Sequence, residues 1–523
     1  MNSVPQLTMS RQKSLVAWAL LALTIVIVSY AFTLVLALVC IGFCILVVGA
    51  GLSVFTLVLG ICSLGIGISI LWSLIPRRDK FHPPGAVLQR ARHPRLFAEI
   101  DTLAASLNES MPQEVYLIPD LNAWVAERGG TMGFGGRRVM GIGLPLLSVL
   151  NIPEFRAILA HEFGHYYGGD TRLGPFVYDS RASMVRTIQS LAEPSAFLQA
   201  VMRLGIAGFI ASLLHWLVVV IVVGYWKLLL RATQMISRRQ EYRADELACR
   251  LVGSEALVSG LRTIHGSGLA VPAYWSSEVN PVLANGMRPP IAEGFRRFVE
   301  APNISQAIEQ RIDHDLREAK TQPYDSHPPL RDRIAAAGRW PSPPRAPANA
   351  PALTLLDNVD GAELELLQAL NPGLKAEGFT AVTWDSFVPK YVLVQWKQRV
   401  AQAADLLAPF TAESLPDVGK ELYNLAARIP DPKGMLLTWE QRSQRAVELI
   451  GVALGLVLID HGWTLVAQPG VFCLKRDAEE INCFTLAADV LAGKITREAW
   501  IERCQGLGIA GCHMAEIAPP KDA

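Results

Sequence analysis

The residues best equipped for chemistry are His161, Glu162 and His165, in the run His161-Glu162-Phe163-Gly164-His165. Histidines at i and i+4 of a helix share one face. Both imidazoles can then converge on one metal ion, and zinc takes such nitrogens at about 2.0–2.1 Å. Glu162 is rotated from His161 by about 100° around the helix axis, which lets it reach a water on the ion without binding the ion itself. Together these are the parts of metal-assisted hydrolysis.

A third ligand must come from elsewhere. One known zinc pattern continues after the second His as x-x-Gly-x-x-His. Gly168 fits it, but Thr171 stands where the last His is required. The other route is a carboxylate on a second helix. Glu241-Tyr242-Arg243-Ala244-Asp245-Glu246 offers Glu241 as ligand, with Asp245 one turn later on the same face. Asp245 can then orient a zinc-bound imidazole through its other nitrogen, a position typically worth about 10–100-fold in affinity or activity.

These groups need helices to hold them. Asn151-Ile152-Pro153-Glu154 predicts a helix start, with Asn as N-cap, Pro in the first turn and Glu completing a capping box. The helix runs through Phe155, Ile158, Leu159 and Phe163, and Gly168-Gly169 is expected to end it. Residues 238–252 form a second helical pattern, carrying Glu241 and Asp245. Between 77 and 150 the chain reads as mixed. An amphipathic helix opens at His93-Pro94, and β-like runs follow at 115–118, 123–126 and 139–142. The glycine cluster at 129–136 lacks the Gly-Lys-Ser/Thr ending of a phosphate loop, so it is read as a hairpin turn.

Composition points to a bilayer. The chain of 523 residues is 51% hydrophobic but only 18% charged, below the soluble average of about 25%. Residues 14–76 contain no charged side chain, and a crossing needs about 20 apolar residues. Two spans turning near Gly49 and Gly51 fit this block. Arg11 and Lys13 precede it, and Arg77, Arg78 and Lys80 follow. Basic flanks on both sides put both ends in the cytoplasm. A second uncharged run, 204–226, is long enough for one crossing; His215 inside it is read as hydrogen-bonded to a neighbouring helix. Net charge is +1, from 48 Lys+Arg against 47 Asp+Glu, which gives no basic excess for a nucleic-acid partner. The eight cysteines lack Cys-x-x-Cys spacing and are read as free thiols.

The Pro/Ala-rich stretch 339–351 is expected to be a semi-rigid linker. The domains expected are then a transmembrane hairpin over 14–76, a metal-binding domain over 77–338 with an apolar insertion near 196–230, and a soluble α+β accessory domain over 352–523. In that last part 463–467 and 471–474 read as a hairpin, and no ligand set stands out.

The two zinc motifs, set either side of an apolar insertion, resemble those of the HtpX-like and CAAX-prenyl-protease-like membrane metallopeptidases, metallopeptidase family 48. Asn122-Ala123-Trp124 is similar to that family's Asn-Ala-aromatic edge strand, which can pair with an extended substrate. Ser326-His327-Pro328-Pro329, followed by Arg333, is similar to its late motif, whose His approaches the active site. The resemblance covers about 14–338. It implies a mainly helical α+β chain with a gluzincin-like domain on a membrane hairpin, and endopeptidase activity. One departure is visible: the family places a two-helix membrane hairpin between the zinc motifs, and here only one strong apolar run lies there. Glu241 must finish on the same side as His161 and His165, so the insertion crosses twice, with a weak helix at 197–209, or not at all.

The expected reaction is hydrolysis of peptide or protein substrates through a zinc-activated water, with one zinc ion on His161, His165 and Glu241. Glu162 serves as general base and His327 stabilises the oxyanion. The expected place is the cytoplasmic membrane of a bacterium, with the site on the cytoplasmic side and the bilayer as partner. The competing readings are a zinc-free scaffold, and an adaptor acting through its C-terminal region.

Overall fold

The uncharged block folds as a helical hairpin. Helix α1, Gln12–Gly49, and helix α2, Val54–Leu74, are joined by a turn in which Gly51 takes a φ of +139°, a backbone conformation strained for any L side chain. Ser53 and Thr56 cap the start of α2 reciprocally. The computed structural model describes residues 12–131, 135–166, 174–193, 199–200, 203, 205–319, 322, 324–325, 327–340, 350–373, 378–387, 391–429 and 437–515. The chain is mainly helical.

Helices α3, Pro94–Leu107, α4, Leu144–Val149, and α5, Ile152–Gly164, follow; then come α6, Gly174–Ala192, and α7, Gly205–Leu251. The segments Leu23–Gly49, Val54–Leu74 and Gly205–Leu251 are each long and apolar enough to cross a membrane. Ile27, Val35 and Leu46 of α1 and Ile206, Phe209 and Trp216 of α7 point outward, as lipid-facing side chains do. The chain is a membrane protein.

The insertion is built from α6 and the apolar half of α7. Met184 and Leu191 of α6 share a buried cluster with Cys40 of α1, Ile66 and Ile70 of α2, and Ala211 and Val222 of α7. Ser183 of α6 donates to the Ser73 carbonyl near the end of α2, and Tyr225 of α7 stacks on Phe32 of α1 at 3.9 Å. Helix α6 packs on α1, α2 and α7, and the far end of α7 brings Glu241 to within 3.5 Å of His161. Helix α6 is hard to see in the sequence because Arg181 and Arg186 break its apolar pattern. Of the weak helix expected at 197–209, residues 205–209 open α7, while 197–198, 201–202 and 204 lie outside the described residues. His215 is half-buried in α7, and its Nε2 is buried with no hydrogen-bond partner among the described residues.

Helix α7 is continuous for 47 residues, about 70 Å at 1.5 Å per residue. The separate helix expected at 238–252 is its far end. One rod thus joins the bilayer to Glu241.

Strands β1, Ala86–Val87, β2, Glu114–Ile118, β3, Ala123–Arg128, and β4, Arg137–Gly143, form a sheet in the order β1-β2-β4-β3. β2 and β4 run parallel, and β3 returns antiparallel to β4 with Ala123 opposite Ile142 and Arg128 opposite Arg137. β3 is an edge. The hairpin at 129–136 is present, with 132–134 outside the described residues. Buried Leu96, Phe97, Ile100 and Leu103 form the apolar face of α3, and α3 and β3 both pack on α5.

The chain divides into two compact units: Met1–Leu269 with Ile308–Leu374, and Ala270–Ala307 with Lys375–Ala523. The expected boundary at 339–351 is corrected by this division. Residues 341–349 lie outside the described residues, but the chain from Ala350 to Leu374 belongs to the first unit. Ala352 donates to Leu150 O at 2.8 Å, and Ile152 to Ala350 O at 2.9 Å. Helix Val359–Leu370 buries Leu366 and Leu367 and packs on β1 and β2. Local composition carries no trace of these long-range bonds of Ala350 and Ala352.

The second unit has its own core. Trp384 is buried, donates to Pro290 O at 2.9 Å and lies 6.4 Å from Tyr274. Helix Trp439–Asp460 is buried continuously from Leu449 to Leu458. The hairpin expected near 463–474 is the pair Thr464–Gln468 and Val471–Arg476, with a third strand at Glu479–Ile481. All eight cysteines are free.

Candidate active site

Helix α5 starts as its sequence demands. Asn151 Oδ1 accepts from Glu154 N, and Glu154 Oε2 accepts from Asn151 N, each at 2.9 Å. The helix ends at Gly164 with His165 as its C-cap; Gly168-Gly169 lie outside the described residues. His161 is buried and His165 half-buried, with ring centroids 4.7 Å apart.

Gly164 decides how closely α7 approaches. A Cβ there would sit 3.0 Å from Ala244 Cα and 3.3 Å from Ala244 Cβ. With neither bulk present, α7 lies directly on α5, and Glu241 and Asp245, one turn apart, face the two histidines. His161 Nε2 is 3.5 Å from Glu241 Oε2, and His165 Nε2 is 3.6 Å from Glu241 Oε1. One ligand atom from each of the three lies within 4.8 Å of the others.

This donor set fits zinc. Ligand atoms about 2.0–2.1 Å from one ion at tetrahedral angles stand about 3.3 Å from each other, close to the separations above. Glu241 Oε2 is also a buried oxygen that receives no hydrogen bond of ordinary geometry, although His327 Nδ1 is 3.0 Å away. A buried carboxylate oxygen left this way is what a cation would satisfy.

The other nitrogen of His161 is spoken for. Nδ1 lies 2.9 Å from Asp245 Oδ1, which turns Nε2 toward Glu241. Asp245 is in turn gripped by Arg333, whose Nε donates to Oδ2 at 2.9 Å and whose second terminal nitrogen donates to Oδ1 at 2.6 Å. Arg333 is itself buried and reaches within 3.5 Å of Glu241 Oε2. Its charge offsets two carboxylates brought close together out of water.

Electrostatics separates the roles. Burial pushes Glu162 up to about 7, the range a general base requires. Burial, reinforced by the charge of His161, holds His165 down at about 4. It is neutral at pH 7 and ready to bind metal. For His161 burial opposes the charged ring, but the carboxylates of Asp245 and Glu241 prevail and raise it to about 9. Metal binding must displace that proton.

The structure brings His327 to the site, exposed and against Glu241; Ser326 lies outside the described residues. Asn122-Ala123-Trp124 opens the edge strand β3 beside α5. Two further residues take part that sequence reasoning does not single out. Arg333 stands in the sequence only as part of a motif, because its pairing with Asp245 spans 88 positions. Tyr166, next to His165, donates to Val125 O of β3 at 2.9 Å, and no sequence signal points to it.

Comparison with known proteins agrees with this geometry. Residues 90–340 match the family described as Peptidase family M48. Protease HtpX of Pseudomonas fluorescens strain Pf-5 is 27% identical over 226 residues, 42% of this chain and 72% of that protein. Protease HtpX of Xylella fastidiosa strain M12 is 26% identical over 309 residues, 55% of this chain and 86% of that protein.

Proposed function

The chain is an HtpX-like member of peptidase family M48 and a membrane protease, and from that premise we propose that it is a zinc-dependent endopeptidase of gluzincin type using Glu162 as general base. The observation that carries this reading is the convergence of His161, His165 and Glu241, with Asp245 and Arg333 behind His161. His161, His165 and Glu241 would hold one zinc ion. Bound there, zinc supplies a Lewis acid that polarises a scissile carbonyl and acidifies water.

The remaining steps belong to side chains. Glu162, held near neutrality by burial, takes a proton from the attacking water and passes it to the leaving amine. Asp245, fixed by Arg333, keeps His161 in the tautomer whose Nε2 faces the ligand cluster. His327 donates to the developing oxyanion; its exposure and its position over Glu241 support that role. Asn122, Ala123 and Trp124 begin the strand beside which an extended substrate lies.

The protein works as a multi-pass protein of a bacterial cytoplasmic membrane, with the site on the cytoplasmic side. Its substrates are peptides or proteins, membrane proteins among them. The region after the peptidase segment is an accessory domain. No observation favours the scaffold or adaptor reading.

The test pairs metal content with turnover. The purified protein is expected to hold one zinc per chain, and Glu162→Gln to keep that zinc while losing turnover by at least about 100-fold. A metal-replete protein with less than about half a zinc per chain would remove the enzyme reading.

A further inference from the structure

In an antiparallel pair, residues alternate between those bonded to the partner strand and those whose N–H and C=O point away from it. Gly143 N donates to Asn122 O at 2.8 Å, so Asn122 opposite Gly143 is a bonded pair. Counting along the register, Trp124, Ala126 and Arg128 bond β4, while Ala123, Val125 and Glu127 turn their backbone groups to the open edge. That edge faces the end of α5. Yet the middle acceptor, Val125 O, is taken by the hydroxyl of Tyr166 at 2.9 Å.

Tyr166 is held for this contact from two sides. Its own N–H donates to Phe163 O at 2.9 Å, which closes the turn after His165. The Arg138 guanidinium lies 4.4 Å over its ring. Arg138 is pinned in turn by Glu109 at 3.0 Å and by Ser110 O at 2.9 Å.

We propose that Tyr166 is a latch on the substrate-binding edge of β3, occupying the Val125 carbonyl until the backbone N–H of an extended peptide displaces it. This rests on the endopeptidase reading and deepens it, because it names what a substrate must do to enter. A segment already in a helix has spent its N–H groups and cannot exchange with the phenol. An unfolded segment supplies them in strand geometry. The latch thus screens substrates for extended, unpaired backbone, and as a positioning residue Tyr166 acts on binding and not on the chemical step. Phenylalanine keeps the ring under Arg138 and removes only the donor.

The experiment compares binding with turnover. In zinc-loaded Glu162→Gln protein, a fluorescent unstructured peptide that the active enzyme cleaves is titrated by anisotropy, with and without Tyr166→Phe. The expected result is about three- to tenfold tighter binding once the phenol no longer competes, the size of one net hydrogen bond. In otherwise wild-type enzyme, Tyr166→Phe is expected to lower KM by a similar factor with kcat unchanged. Unchanged or weaker binding overturns the latch. Should Tyr166→Phe misfold, the protein with Tyr166 intact still decides. Saturating peptide must shift the resonance of a 13C-labelled Tyr166 ring carbon, and an unmoved resonance overturns the proposal. Failure of wild-type enzyme to cut any peptide would instead strike the endopeptidase reading on which the latch rests.

Discussion

Glu162 and His161 both limit the site on its acid side, at different steps. As the proposed general base, Glu162 would act only when deprotonated, so kcat/KM is expected to rise with pH along its acid limb. Without metal, burial holds Glu162 at about 7. A dication beside it favours the carboxylate, so the limb is expected to have its midpoint below about 7 in the loaded enzyme. A pH profile of kcat/KM reads this, and a midpoint clearly above about 7 would separate the limb from Glu162. His161 enters earlier, in metal loading. Its proton, retained to about 9 by Asp245 and Glu241, must leave when metal binds, so zinc competes with protons and loading weakens as pH falls. Much of this was legible in the sequence, because His161, Glu162 and His165 lie within about one turn of one helix, and Glu241 and Asp245 within about one turn of another. Arg333 and Tyr166 were not legible as participants. Each acts across the fold, Arg333 on Asp245 and Tyr166 on Val125, and neither pairing leaves a spacing to detect.

At the scale of elements, the site exists because α5 and α7 touch where Gly164 meets Ala244. The residue between Phe163 and His165 faces α7, and nothing in the motif's chemistry requires it to be small; the packing does. Gly164→Val would drive its branches into the Ala244 backbone, and overpacking of this kind costs about 1–3 kcal/mol. The helices relieve it by moving apart, which carries Glu241 away from His161 and His165. The expected outcome is a folded, membrane-inserted protein whose zinc content falls below about half an equivalent, measured by elemental analysis against wild type. Gly164→Ala, with a single carbon to absorb, should lie between. Full zinc in the valine variant would mean that the helices have slack at this crossing. The helix start at Asn151, the hairpin turn near Gly51 and the strands β2 to β4 were readable because caps, glycines and alternation are local signals. The role of α6 was not, since its arginines disguise a helix that packs beside α2.

The whole chain must satisfy two constraints, a shared side for the ligands and a shared core for each unit. The first predicts that reporters fused after Phe81 and at Ala523 give the cytoplasmic signal while one fused after Leu52 gives the external signal; the same side for Leu52 and Phe81 would dissolve the hairpin. The second concerns where the chain can be cut. A chain ending at Pro344 ends inside the Pro-rich stretch that looks dispensable, but it loses the segment to which that stretch leads. Ala350 O accepts from Ile152 N, one of the amides at the start of α5 that no helical carbonyl can reach. Asp357 pairs with Arg95, and Leu366 and Leu367 are buried in the peptidase unit, where each buried Leu is worth about 1.5–3 kcal/mol. In the second unit the same cut separates Trp384 from Tyr274 and Phe295, which are fully buried beside it. We expect the chain ending at Pro344 to melt well below the full-length protein and to hold less zinc. A chain ending at Leu374 restores the brace on α5 and should recover zinc, while still leaving the core around Phe295 without Trp384. Measuring zinc and melting temperature on the three forms orders them. If the form ending at Pro344 matches the full-length protein in both, then α5 stands without its brace and the units divide at the Pro-rich stretch after all.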